Sequence, residues 1–172
     1  MTELTKQPKP GLVARIRRNH ALEHATLQVL AMKNPNRILA GHSDIKGFWI
    51  VGEVSTDELA DAAIEALARL RKGERGLAVH PNCGTNFVAS GAAAGFAAWL
   101  GMLGVGDGAR KKIDRLPVVI LLSTIALIFS QPLGPWLQAN YTTDARIGTM
   151  KIVEVIRSVR PGLTKHQVRT HF

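Results

Sequence analysis

The chain has 172 residues, 46% hydrophobic and 20% charged, which excludes global disorder. Its 22 Lys and Arg against 13 Asp and Glu leave a net charge of +9. A single cysteine, Cys83, excludes a scaffold built on internal disulfides and suits a reducing compartment.

Residues 1–11 read as a flexible tail punctuated by Pro8 and Pro10, and the stretch lacks the apolar core of a signal peptide. Leu12 to about Lys33 has no internal Gly or Pro and is predicted as a helix, stopped by Asn34-Pro35. Two strand signals follow, Arg37 to Gly41 and Gly47 to Val54, joined as a hairpin through His42–Lys46. Ser55 and Glu58 form a capping box for a second helix, with acidic residues near its start and Arg69, Arg71 and Lys72 near its end. Gly76 to His80 suggests a third strand.

From Gly76 to Gly106, and again from Pro117 to Thr143, the chain carries no Asp, Glu, Lys or Arg. Each run is longer than the roughly 18 residues that mark a transmembrane candidate. The first centres on Phe87–Val105, where Gly91 and Gly95 read as a small-residue face for close helix approach. The second is rich in Ile, Leu and Val and ends near an interfacial Trp136. Between them the basic connector Asp107–Leu116 predicts an antiparallel pair. Further on, Thr149–Val159 is β-branched and predicts a strand, the turn at Arg160–Leu163 follows, and Thr164–Phe172 is its partner.

The expected architecture is therefore α+β. A ββαβ-like domain with an N-terminal metal-binding helix and a C-terminal β pair is joined to a two-helix transmembrane hairpin. The expected segments are the tail at 1–11, the metal-binding region at 12–86, the hairpin at 87–137, and a C-terminal segment at 138–172. This places the protein in the cell (inner) membrane with its soluble parts in the cytoplasm. The basic charge then serves the bilayer surface. Nucleic acid is not an expected partner: aromatics are only 5%, and Trp99, Phe129 and Trp136 fall in the apolar runs instead of on a basic stripe.

The sharpest chemical signal is His20-Ala-Leu-Glu23-His24. On a helix His20 and His24 stand one turn apart on one face, where two imidazoles can converge on a metal ion. Glu23 leans to the same side and is the candidate general base; H-x-x-E-H is the order of inverted zinc peptidases. A helix with two solvent-facing histidines would carry the same spacing, so a third ligand decides the matter. The sequence offers His80 and Cys83 in H-P-N-C-G, one as ligand and the other as its support. Imidazole with thiolate leans to Zn²⁺. His42, His166, His171 and Asp144 are weaker candidates: a turn, opposite faces of one strand, and a capping carboxylate.

The pairing of His20, Glu23 and His24 with the later His80, Cys83, Gly84, Thr85 and Phe87 resembles the YqhQ-like bacterial membrane proteins. Gly47-Phe48-Trp49-Ile50 is similar to a smaller family of bacterial membrane proteins that shares the two motifs. The resemblance implies a metal-dependent enzyme at a membrane. Asn86 departs from the small hydroxyl residue expected in that pattern. Two functions compete. One is a membrane-associated zinc hydrolase, such as a peptidase acting on a peptide or membrane protein beside the lipid bilayer. The other is a non-catalytic membrane protein with a structural His/Cys zinc site. Either is compatible with a homo-oligomer.

Overall fold

The computed structural model describes residues 10–160 and 162–172, so most of the predicted tail lies outside the described residues, as does Pro161 of the predicted turn. The chain divides into two units: residues up to His80 together with Ala139–Phe172, and Pro81–Gln138.

The first unit is organised around α1 (Leu12–Lys33), which ends where the Asn34 amide donates to Leu30 O at 2.9 Å. Asn34-Pro35 forces this stop, because the residue before proline disfavours helical backbone. From Asn19 to Leu30 nearly every residue of α1 is buried, so the helix is a core element and not an amphipathic surface helix. Next come β1 (Ala40–Ser43) and β2 (Gly47–Val51), an antiparallel pair with Gly41 opposite Ile50 and Ser43 opposite Phe48. Asp44 Oδ1 closes the turn by accepting from the amides of Lys46 and Gly47 at 2.7 and 3.0 Å. Gly47 has a φ of 152°, and a Cβ there would strike the Val168 carbonyl oxygen. Only glycine serves at that position.

Helix α2 (Thr56–Arg71) begins at Ser55, whose hydroxyl accepts from the Glu58 amide at 3.1 Å. After a one-turn 3₁₀ helix (Arg75–Ala78), the unit is completed by β3 (Lys151–Arg160) and β4 (Leu163–His171). The four strands form one antiparallel sheet in the order β1-β2-β4-β3. Alternation along β4 sends Thr164, His166, Val168 and Thr170 inward. There Val168 joins Phe48, Ile50, Leu22, Leu30 and Leu59 in a fully buried apolar core.

Two expectations within this unit change. His42 and Ser43, expected in the turn, belong to β1, which starts at Ala40 and not Arg37. The third strand predicted at Gly76–His80 is instead the 3₁₀ turn. Its backbone finds acceptors and donors without a sheet neighbour: Gln28 Nε2 donates to the carbonyls of Leu77 and Val79 at 2.9 Å each.

The second unit comprises α3 (Gly84–Met102), α4 (Ala109–Phe129) and α5 (Leu133–Leu137). The predicted transmembrane hairpin is corrected here: among the described residues no single helix is long and apolar enough to cross a membrane. The reason lies in where the helices begin and break. α4 starts inside the basic segment, so Arg110, Lys111, Lys112 and Arg115 are helical and not a connector. Its apolar run then halts around Ser130–Pro132, and only the pair Ala109–Phe129 with Leu133–Thr142, bent by 49°, is long and apolar enough. α3 spends its first turn on Gly84, Thr85 and Asn86 and is diluted by glycine. The expected close-approach face is also displaced: a Cβ at Gly91 or Gly95 would meet nothing within 4 Å, whereas at Gly101 it would come within 3.1 Å of Val119 Cγ2. Between α3 and α4, Arg115 Nε donates to Gly101 O at 2.9 Å and Ser123 Oγ to Ala94 O at 3.3 Å.

Candidate metal centre

His20 and His24 lie one turn apart on α1, and their ring centroids are 4.2 Å apart in an edge-on arrangement. The His24 ring is buried and the His20 ring half-buried. Each imidazole is tied at Nδ1 to a backbone carbonyl: His20 to Thr142 O at 3.0 Å, His24 to Ala78 O at 2.8 Å. A carbonyl oxygen can only accept, so Nδ1 of each ring carries the proton and the lone pair sits on Nε2. This is the tautomer that metal-ligating histidines use, with the opposite nitrogen anchored to fix ring orientation.

The two carbonyls come from segments far away in sequence. Ala78 is in the 3₁₀ turn, and Thr142 is in the short π-helical stretch Gln138–Thr142. The 140s segment is strapped to α1 by Arg17, which donates to Asn140 O at 2.8 Å and Thr143 O at 3.0 Å. The Asp144 amide donates back to Arg17 O at 3.0 Å. His80 also arrives from the end of this unit, its ring centroid 5.6 Å from that of His24.

Glu23 is buried in α1, and its carboxylate accepts a hydrogen bond from the Ser43 hydroxyl of β1. Gly41 lies over the same side chain: a Cβ there would overlap the Glu23 carboxylate, so β1 reaches it only because position 41 is glycine. Sequence reading singled out Glu23 but neither Ser43 nor Gly41, since nothing local to them signals a partner some 20 residues back in the preceding helix.

Cys83, buried, caps the N-terminus of α3 in the second unit, and its thiol donates to Thr85 Oγ1 at 3.5 Å. It follows His80 by three residues, which limits their Cα separation to about 11 Å. Within the first unit the His20 and His24 imidazoles, with the His80 ring beside them, form the candidate metal-ligand cluster. Asn86, where a hydroxyl residue was expected, works inside the second unit: it donates to Pro81 O and accepts from Gln138 Nε2, both at 2.6 Å.

The weaker candidates fall elsewhere. His42 is exposed on β1, opposite Trp49. His166 is fully buried in the sheet, bonded to Thr56 Oγ1 at 3.2 Å, while His171 points to the outside. Asp144 accepts from Arg146 Nε at 2.8 Å and Arg18 Nε at 3.4 Å. Burial opposes its ionisation, but the hydrogen bonds and charge of Arg146, with Arg18, outweigh it and hold the carboxyl below its ordinary value.

Fold and site together define a mixed α+β protein with a histidine cluster ordered by backbone carbonyls. Residues 15–155 match the family described as a domain of unknown function (DUF6391), and the chain belongs to that family. An uncharacterised protein of Picosynechococcus sp. is 41% identical over 106 residues, covering 53% of this chain and 52% of the relative. The chain thus spans about half the length of that relative. No solved structure matches. These relationships replace the YqhQ-like resemblance, which neither the family match nor the relative supports.

Proposed function

We propose that the protein is a membrane-associated, metal-dependent hydrolase acting on peptide bonds, with His20, His24 and one of His80 or Cys83 as zinc ligands and Glu23 as general base. The observation that carries this reading is the pair of Nδ1 anchors, His20 to Thr142 O and His24 to Ala78 O, which leave both ligating lone pairs on Nε2. The chain tether between His80 and Cys83 supports the third ligand, and the nitrogen–sulfur donor set favours zinc among divalent ions. Zinc held there would supply Lewis acidity and make water a nucleophile near neutral pH. Glu23 would take up the proton as general base, and the Ser43 hydroxyl holds its carboxylate in one orientation.

Glu23→Gln is the deciding variant. Metal content measured by plasma emission is expected to stay at the wild-type level, while peptide hydrolysis drops by about 100-fold or more. Undiminished turnover defeats the mechanism.

A second reading is favoured by one observation, the His80 ring 5.6 Å from that of His24. With His80 as fourth protein ligand the centre would be closed and structural. X-ray absorption of the zinc-loaded protein separates the two: three protein ligands plus one light oxygen scatterer supports the hydrolase, and four protein ligands support the structural site.

Membrane association rests on the surface of the second unit. No residue of α4 is buried, and Ile113, Ile120, Leu121 and Phe129 are exposed, as are Phe87, Val88, Phe96 and Trp99 on α3. Apolar surface of this extent fits lipid, and Arg110, Lys111 and Lys112 in the first turn of α4 fit anionic headgroups.

A further inference from the structure

Beside the histidine anchors, within the first unit, lies a cavity of about 340 Å³ lined by Arg17, Arg75, Ala78, Asn140, Asp144 and Arg146 among others. It touches both supports of the metal centre: Ala78 is the residue whose carbonyl holds His24, and Asn140 belongs to the stretch whose Thr142 carbonyl holds His20. Arg17, His20 and His24 are spaced i, i+3, i+7 on α1 and share one face of the helix, so the cavity and the imidazoles follow one another along it.

The charge in this cavity is not balanced. Arg146 is paired with Asp144 at 2.8 Å. Arg17 and Arg75 form no ion pair among the described residues. Arg17 spends one guanidinium nitrogen on the carbonyls of Asn140 and Thr143, which fixes the plane of the group, while its Nε is buried and without a hydrogen-bond partner among the described residues. A guanidinium held in one plane at the wall of a cavity, with no carboxylate paired to it among the described residues, is arranged for an oxyanion, which accepts in that plane. A volume near 340 Å³ falls at the low end of the range of about 300–1,000 Å³ for small-ligand sites.

We propose that Arg17 and Arg75 form an anion subsite that receives a carboxylate or phosphate group of the substrate next to the metal centre. The inference rests on the hydrolase reading for the word substrate, but the binding itself does not require the metal. It assigns the substrate class: the molecule carries an oxyanion a short distance from the bond that is cut, as a peptide does near its free C-terminus or a phosphorylated molecule does at its phosphate.

The experiment is calorimetric titration of the full chain, stripped of metal by chelation, with inorganic phosphate and separately with acetate. Saturable one-to-one binding of at least one anion is expected, and the tighter of the two identifies the source of the oxyanion. Arg75→Gln, an exposed position, is expected to weaken it tenfold or more, and Arg17→Lys, which keeps the charge but loses the planar fork, to weaken it as well. Absence of saturable binding of either anion overturns the subsite, and so does affinity unchanged in both variants or binding that appears only with zinc present. Zinc uptake measured on the same samples keeps the two readings apart: zinc bound with no anion site leaves the hydrolase reading intact, and an anion site in a chain that takes up no zinc leaves only the subsite.

Discussion

His166 illustrates how a single buried residue couples this fold to pH. It faces inward from β4 with no side-chain exposure, its Nε2 near Thr56 Oγ1 and its Nδ1 unpartnered among the described residues. Burial, reinforced by the Arg157 charge and only partly opposed by Glu53, holds its pKa below the ordinary value of 6.5. In the unfolded chain the ring therefore binds a proton at a pH where the folded chain does not. Its contribution is fully present above 6.5 and is lost as the pH falls through the lowered folded value. Urea denaturation from pH 8 downward is expected to show stability falling below 6.5, and the slope to diminish in His166→Leu. An identical slope in that variant would assign the acid sensitivity to other groups. The same scale contains the residue pairs that sequence could not foresee. Glu23 was visible as part of a spaced motif, but Ser43 and Gly41 are ordinary strand residues until β1 is laid against α1.

At the scale of elements, local rules served best where punctuation was strong. Asn34-Pro35 ended α1 where expected, and the Ser55 cap with acidic residues after it started α2. That cap has a definite energetic role. Ser55→Ala removes the acceptor for the Glu58 amide and is expected to cost about 1 kcal/mol, read as a lower urea midpoint with an unchanged slope. Local rules failed at Gly76–His80, where a β-like apolar string became a 3₁₀ turn because Gln28 and His24 of α1 take up its carbonyls. They failed again in the apolar runs. A charge-free window measures composition, whereas a membrane span needs one unbroken helix. Here the helix boundaries fall inside the basic segment and at Ser130–Pro132, cutting the window into pieces too short or too dilute to cross alone.

At the scale of the whole chain, the net charge of +9 and the exposed apolar side chains of α3 and α4 bear on the same question, what surface this protein meets. Flotation with vesicles tests it. The full chain is expected to rise with anionic vesicles, and Lys111→Glu with Lys112→Glu to reduce that fraction at low salt while leaving the fold unchanged by circular dichroism. Protein that stays at the bottom with both anionic and neutral vesicles would refute lipid contact. What the amino-acid order determined on its own was whatever depends on near neighbours: the extent of α1, the cap of α2, the β character of residues 151–160, and the stacking of His20 over His24, since a helix places i and i+4 together wherever it lies. Only the tertiary structure decided which nitrogen of each imidazole carries the proton and where the guanidinium of Arg17 is pinned. Those outcomes depend on carbonyls at Ala78, Asn140, Thr142 and Thr143, between 54 and 126 positions away along the chain, and no local rule for spacing or propensity reaches that far.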